Sequence, residues 1–174
     1  MQTRRGSTLK GVITISLMAV NVVFWVPILL VVALTKLLVP LAAWRRWTSA
    51  LMIWIAQAWI SCNGAIFSLM GALRLEVEGV EDLDPRSWYL VLSNHQSWVD
   101  ILVLQKAFNR RIPFLKFFLK QELIWVPFLG LAWWALDFPF MKRHSATYLQ
   151  KHPQARGEDL DATRKACERF ALLP

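Results

Sequence analysis

Not one aspartate or glutamate stands among the first 73 residues, although six lysines and arginines do. From Arg74 onward the balance is ordinary, with fourteen basic and twelve acidic residues. The chain is also poor in cysteine: Cys62 lies in an apolar run and Cys167 in a charged one. That spacing supports neither a disulfide framework nor a metal site. No internal repeat and no low-complexity segment occurs. The basic excess comes without a nucleic-acid motif and mostly flanks hydrophobic runs, so nucleic acid is not the expected partner.

What fills the space left by these absences is apolar. Hydrophobic residues make up 56% of the 174-residue chain, with ten Trp and ten Phe, above the share of an ordinary soluble domain. Residues 11–35 are uncharged and long enough to cross roughly 30 Å of hydrocarbon as a helix. A second uncharged run covers residues 47–73, after Lys36 and the Arg45–Arg46 pair. A cleaved signal peptide fits poorly, because its apolar core would be about 7–15 residues and no A-x-A site follows. Trp25, Trp44, Trp47, Trp54 and Trp59 include candidates for the headgroup level. Arg4, Arg5 and Lys10 precede the first run as Lys36, Arg45 and Arg46 follow it, so charge does not choose an orientation. Spanning and a hairpin dipping into one leaflet both stay open, and Pro27 and Pro40 are candidate kinks. The expected division is a membrane-embedded two-helix anchor over 1–73 and an α/β domain over 74–174.

Beyond Arg74 the period changes. "LRLEVEGV" (73–80) alternates as a half-buried strand does, and "EDLDPRS" reads as a turn centred on Asp84–Pro85. "WYLVLS" (88–93) is a short continuous apolar run, as in a buried α/β strand. "WVDILVLQKAF" predicts a helix ending near Asn109, and "IPFLKFFLK" (112–120) a strand. "ELIWVPFLGLAWWAL" predicts a helix interrupted at Pro127 and Gly130, followed by a strand end at "FPFMKR" (138–143). "GEDLDATRKACERF" predicts a final helix opened by Gly157, with acids in its first turn and Leu160, Thr163, Cys167 and Phe170 on one face. Alternating strands and helices predict α/β.

The chemistry concentrates in "NHQSWVD" (94–100), at the carboxyl end of the predicted strand 88–93, where open α/β sheets place ligands. Residues five apart in a regular helix point about 140° away from each other. His95 and Asp100 therefore meet only if His95 stands in the loop and Asp100 in the first helical turn. A carboxylate on one ring nitrogen fixes the tautomer, and the other nitrogen can then take a proton from a hydroxyl. The plainer alternative is that Asn94 or Ser97 caps the helix and both residues are solvated.

"NHQSWVD" after an apolar run resembles the N-H-x-x-x-x-D block of the lysophospholipid acyltransferase superfamily, which includes bacterial 1-acyl-glycerol-3-phosphate acyltransferases. The wording is most similar to the lysocardiolipin-acyltransferase-like branch and its bacterial relatives. The stretch 114–143 resembles the family's second block, running from a lysine through P-x-x-G to Phe140–Arg143. The glycine usually just before that element is replaced by residues of "LDFP".

The resemblance implies an N-terminal hydrophobic hairpin followed by a glycerolipid-acyltransferase-like α/β domain. It implies transfer of a fatty acyl group from acyl-CoA or acyl-carrier protein, as co-substrate and with no bound cofactor or metal, to the hydroxyl of a lysophospholipid. His95 would be the general base and Asp100 its partner. Arg143 and Lys120 would hold the substrate phosphate, with a phospholipid membrane as partner and the domain on its cytoplasmic face. Lys106, Arg110, Arg111 and Lys116 make a basic cluster that also suits an anionic lipid surface. Trp98 and Trp133–Trp134 are expected in the core or at the membrane edge.

The family's third block, E-G-T-R or E-G-S-R, and its proline-containing fourth block do not occur here. The expectation is therefore an incomplete domain, the amino-terminal part of a longer protein. An unpaired sheet edge would make it fold poorly and work weakly alone. The alternative reading is a membrane-anchored lipid-binding or interaction protein that has lost catalysis.

Overall fold

The structure is a computed structural model and describes residues 2–71, 75–142, 148, 150 and 157–171. It is mostly helical. Helix α1 (Gln2–Leu38) and helix α2 (Ala42–Met70) form an antiparallel hairpin. Pro40 falls in the three-residue link, where a missing N–H costs nothing, while Pro27 lies inside α1. Gly71 ends α2 in the left-handed region (φ 60°), its N–H turned back to the carbonyls of Phe67 and Ser68.

The hairpin is held by periodic faces. Thr48, Met52, Ile55, Ala56, Ile60, Asn63 and Phe67 recur at helical spacing and are the buried side of α2. Inside the contact Asn21 Nδ2 donates to Asn63 Oδ1 at 2.8 Å and to the Trp59 carbonyl at 3.2 Å. Such interhelical amides fix register between two otherwise apolar helices. At the link, Trp44 Nε1 donates to the Thr35 carbonyl at 3.2 Å.

The segment from Thr8 to Leu38 and helix α2, 31 and 29 residues, are each long and apolar enough to cross a membrane. At 1.5 Å per residue each reaches roughly 45 Å. On α1, Leu17, Val20, Phe24, Val31 and Leu38 form an exposed apolar stripe. It runs opposite the buried Val26, Leu29 and Ala33.

The rest of the chain packs on the link half of this hairpin. Val26, Leu29, Ala33, Met52, Ile55 and Ala56 share one core with Leu119, Ala132, Leu136 and Phe138. Phe114 meets Phe138 edge-on at 5.9 Å between centroids, and Phe117 stacks on it at 6.5 Å. Strand β1 (Leu119–Lys120) pairs in parallel with β2 (Phe140–Met141), Leu119 opposite Phe140 and Lys120 opposite Met141. Between them come a 3₁₀ turn (Gln121–Trp125) and helix α4 (Leu129–Ala135), so the element is a small parallel crossover. Helix α3 (Trp98–Phe108) precedes it, and α5 (Glu158–Ala171) packs near β2.

The interruption predicted at Pro127 and Gly130 has a specific cause. Leu129 N–H donates to the Pro127 carbonyl at 2.7 Å across Phe128, whose φ of 62° is a tight γ-turn geometry that non-glycine residues rarely adopt. Gly130 then lies so close to Ile124 that a methyl group there would overlap the Ile124 carbonyl.

Several predicted strands are corrected. Residues 75–80 carry no strand. The run 88–93, expected as a buried strand, has no regular structure, and Leu90 and Leu92 are 81% and 84% exposed. Of 112–120 only the last two residues join a ladder. The reason is pairing: an apolar run becomes a strand only where a neighbour takes its N–H and C=O groups, and among the described residues β1 and β2 are the whole sheet. The α/β expectation thus survives as one short parallel pair within a helical structure. In α5 Ala166 is buried, while Cys167, on the face shared with Thr163, is exposed. Trp98 is exposed as well, whereas Trp133 packs on the core and Trp134 is half exposed.

Candidate active site

Ser97 stands at the N-cap of α3 with extended backbone, and its hydroxyl accepts from the Val99 N–H at 3.3 Å. Asp100, three residues on, answers it. Its Oδ2 accepts the N–H groups of Gln96 (2.6 Å) and Ser97 (2.7 Å), forming a reciprocal capping box. These bonds stop the helix at Trp98 and turn the chain between His95 and Asp100. The turn brings His95 Nδ1 to 3.5 Å from the same Asp100 Oδ2. Cap and dyad are therefore one arrangement, with a single carboxylate serving both.

The electrostatics follow from those bonds. The Ser97 and then the Gln96 amide hold the Asp100 carboxyl below its ordinary value of 3.8; partial desolvation opposes them, and the nearby His95 and the Ser97 hydroxyl assist. Asp100 is 30% exposed and His95 61%, so the imidazole reaches solvent while its carboxylate partner is sheltered.

Helix α3 is seated on the hairpin by polar ties that sequence reading missed. Lys106 Nζ donates to Ser68 Oγ at 2.8 Å and lies 3.4 Å from the Gly64 carbonyl. Asn109 Nδ2 donates to Ser61 Oγ at 2.9 Å and to the Gln57 carbonyl at 3.2 Å. Lys106 was expected in a lipid-facing cluster; its ammonium is instead turned onto α2. Gly64 admits the lysine stem at ordinary contact distance. Since Lys106 meets Ser68 and Asn109 meets Ser61, α3 runs antiparallel to α2. Its dyad-bearing start therefore lies toward the Met70 end of the hairpin.

Of the other two expected site residues the structure describes Lys120. Lys120 is exposed on β1, and among the described residues no hydrogen bond or ion pair links it to His95 or Asp100. Arg143 lies outside the described residues.

A histidine–carboxylate pair at a loop–helix junction, docked on an apolar hairpin, is the local frame into which the comparisons fit. The sequence model of the family described as Acyltransferase matches residues 74–168, 95 of the chain's 174 residues, and the chain belongs to that family. It is 36% identical over 72 residues to the 1-acyl-sn-glycerol-3-phosphate acyltransferase alpha of Mus musculus and equally to that of Homo sapiens. The Ovis aries protein of the same name is 35% identical. Each alignment covers 41% of this chain and 24% of the relative, so the chain matches about a quarter of the length of these curated proteins. No solved structure matches it significantly.

Proposed function

We propose that this chain carries the base-bearing part of a membrane-bound O-acyltransferase acting on a lysophospholipid of the lysophosphatidate type. The observation that carries the reading is the 3.5 Å approach of His95 Nδ1 to an Asp100 already held ionised by two backbone amides, inside the segment matched by the family. Asp100 accepts a hydrogen bond from Nδ1–H, orients the ring and stays ionised. Nε2 takes the proton of the lipid hydroxyl as that oxygen attacks the acyl thioester carbonyl. The new C–O bond forms, the C–S bond breaks, and the proton passes to the departing thiolate. The thioester is acyl-CoA or acyl-carrier protein, and Lys120 with Arg143 would bind the substrate phosphate.

The packing also supports an arrangement in the membrane. Leu119, Leu136 and Phe138 rest on the link half of the hairpin, and Lys36 Nζ lies 3.7 Å from Asp137 Oδ2 at its end. A hairpin standing across the bilayer would carry Lys120, Glu122, Asp137 and an open sheet edge into hydrocarbon, where unsatisfied backbone is not tolerated. In our reading residues 1–73 therefore lie in one leaflet with the Leu17–Leu38 stripe toward the lipid, and 74–174 form a domain on the cytoplasmic face.

The test is transfer of a labelled acyl group from acyl-CoA to 1-acyl-glycerol-3-phosphate by the native protein. His95→Ala should lower the rate by about 10²–10⁴. Wild-type rates in H95A would sink the catalytic reading and favour a lipid-binding role.

A further inference from the structure

Residues 123–136 carry no charged, hydroxyl or amide side chain, and exposed charges bracket them: Lys120 and Glu122 before, Asp137 after. The run falls short of the ~20 residues that cross a bilayer as a helix; at this length it is either a buried core helix or an interfacial segment. Exposure decides between the two. Trp125, Phe128, Leu131 and Trp134 recur at every third position through the 3₁₀ turn and α4, and they are between 51% and 85% exposed. Residues three apart share a helix face. The buried positions of α4 are the small ones, Gly130 and Ala132. A helix that serves only a soluble core turns its large apolar side chains inward; here four of them stand in a row on the outside.

Two observations say what covers this face. The first is its make-up. An exposed tryptophan stands at each end of the row, the residue type that settles at headgroup level, with Phe128 and Leu131 between. The second is continuity. Helix α4 rests on α1, where Ala132 and Leu136 share a core with Val26, Leu29 and Ala33. The row therefore lies about one helix diameter, roughly 10 Å, from a helix that is itself long and apolar enough to enter a membrane. Lipid that reaches α1 reaches its neighbour.

We infer that the outer face of the 3₁₀ turn and α4 is a second membrane contact, made by the domain itself. It lies in the plane of the leaflet surface, with Trp125 and Trp134 among the headgroups and Phe128 and Leu131 among the upper acyl chains. Hairpin and α4 together fix the tilt of the domain on the membrane, which the hairpin alone would leave free to roll. The inference rests on the membrane reading above but not on catalysis.

The experiment uses the full chain with Cys62→Ala and Cys167→Ala, in vesicles of phosphatidylcholine with a minor share of phosphatidylglycerol. A single bimane-labelled cysteine replaces Leu131, Val20 or Glu81. Quenching is read from the lipid side with doxyl-labelled phosphatidylcholine and from the water side with iodide. The label at Leu131 should be quenched by the lipid-borne group, as the label at Val20 on the α1 stripe is, while the one at Glu81, in an exposed turn, answers to iodide alone. Trp125→Glu with Trp134→Glu changes exposed positions only and so spares the core. It should cut lipid quenching at Leu131 to the level at Glu81 and leave Val20 unchanged. Lipid quenching at Val20 but not at Leu131 would overturn this inference and spare the membrane reading, whereas none at either overturns both. A Leu131 label shielded from lipid and iodide alike would mark a protein on this face and overturn lipid as its occupant. Undiminished lipid quenching in W125E/W134E would show that the row does not seat α4 at the surface, and overturns the inference as well.

Discussion

Lys106 Nζ reaches across to Ser68 Oγ at 2.8 Å, and through that bond the helix that follows the candidate dyad's loop is seated on the apolar hairpin. None of the α3 side chains is fully buried, so polar ties carry much of its docking. Removing the donor with Lys106→Met should release about 1 kcal/mol. Hydrogen exchange of the α3 amides should then quicken about fivefold while α1 and α2 stay unchanged. Unaltered exchange in 98–108 would show that apolar contact alone holds the helix.

The Ser97 half of the cap can be separated from the dyad by mutation, because the Ser97 hydroxyl accepts from Val99 whereas Asp100 Oδ2 serves both cap and dyad. Ser97→Ala removes the hydroxyl that accepts from Val99 and should cost about 1 kcal/mol of stability, with modest loss of acyl transfer. Asp100→Asn keeps an acceptor for one amide but withdraws the charge from His95. It should depress transfer far more than S97A at comparable thermal stability. Equal effects of the two variants on rate would reduce Asp100 to a helix cap.

The Asp100 carboxyl sets an acid limit. Its folded pKa is depressed, so the stabilisation it provides is fully present above the ordinary value of 3.8 and is lost as pH falls through the lower folded value. A ¹³C titration of the Asp100 carboxyl should show a midpoint below 3.8, with the start of α3 fraying only under more acidic conditions. A midpoint at or above 3.8 would mean that the amides of Gln96 and Ser97 do not hold the ionised form.

The Pro127–Gly130 turn makes opposite demands on two neighbours. Gly130→Ala must push the Ile124 backbone aside and should cost about 1–3 kcal/mol, visible as a lowered Tm. Phe128→Gly deletes an exposed ring at a position with φ of 62° and should be neutral or stabilising by up to about 1 kcal/mol. A tolerated G130A would show that the 3₁₀ turn yields more readily than its packing implies.

Local information on the chain was enough for local structure. Two uncharged runs without acids could become little other than long apolar helices, because no other conformation satisfies the backbone within so apolar a stretch. The spacing of His95, Ser97 and Asp100 was enough to require a turn at the start of α3, since these groups lie within six residues and bond to one another. Pairing was different. Whether 88–93 became a strand depended on a neighbour to take its backbone groups, and its apolar content carried no record of one.

The seating of α3 also lay beyond sequence reading. Lys106 finds Ser68 across 38 positions, and Asn109 finds Gln57 across 52. The same holds for the cavity at the hairpin link, where Lys36, Arg46, Lys116 and Asp137 come together from four segments. Side chains that far apart are ordinary surface charges in a linear reading. The folded hairpin makes them neighbours, because Leu119, Leu136 and Phe138 must bury themselves against Val26, Leu29 and Met52 and bring the charges at their flanks along.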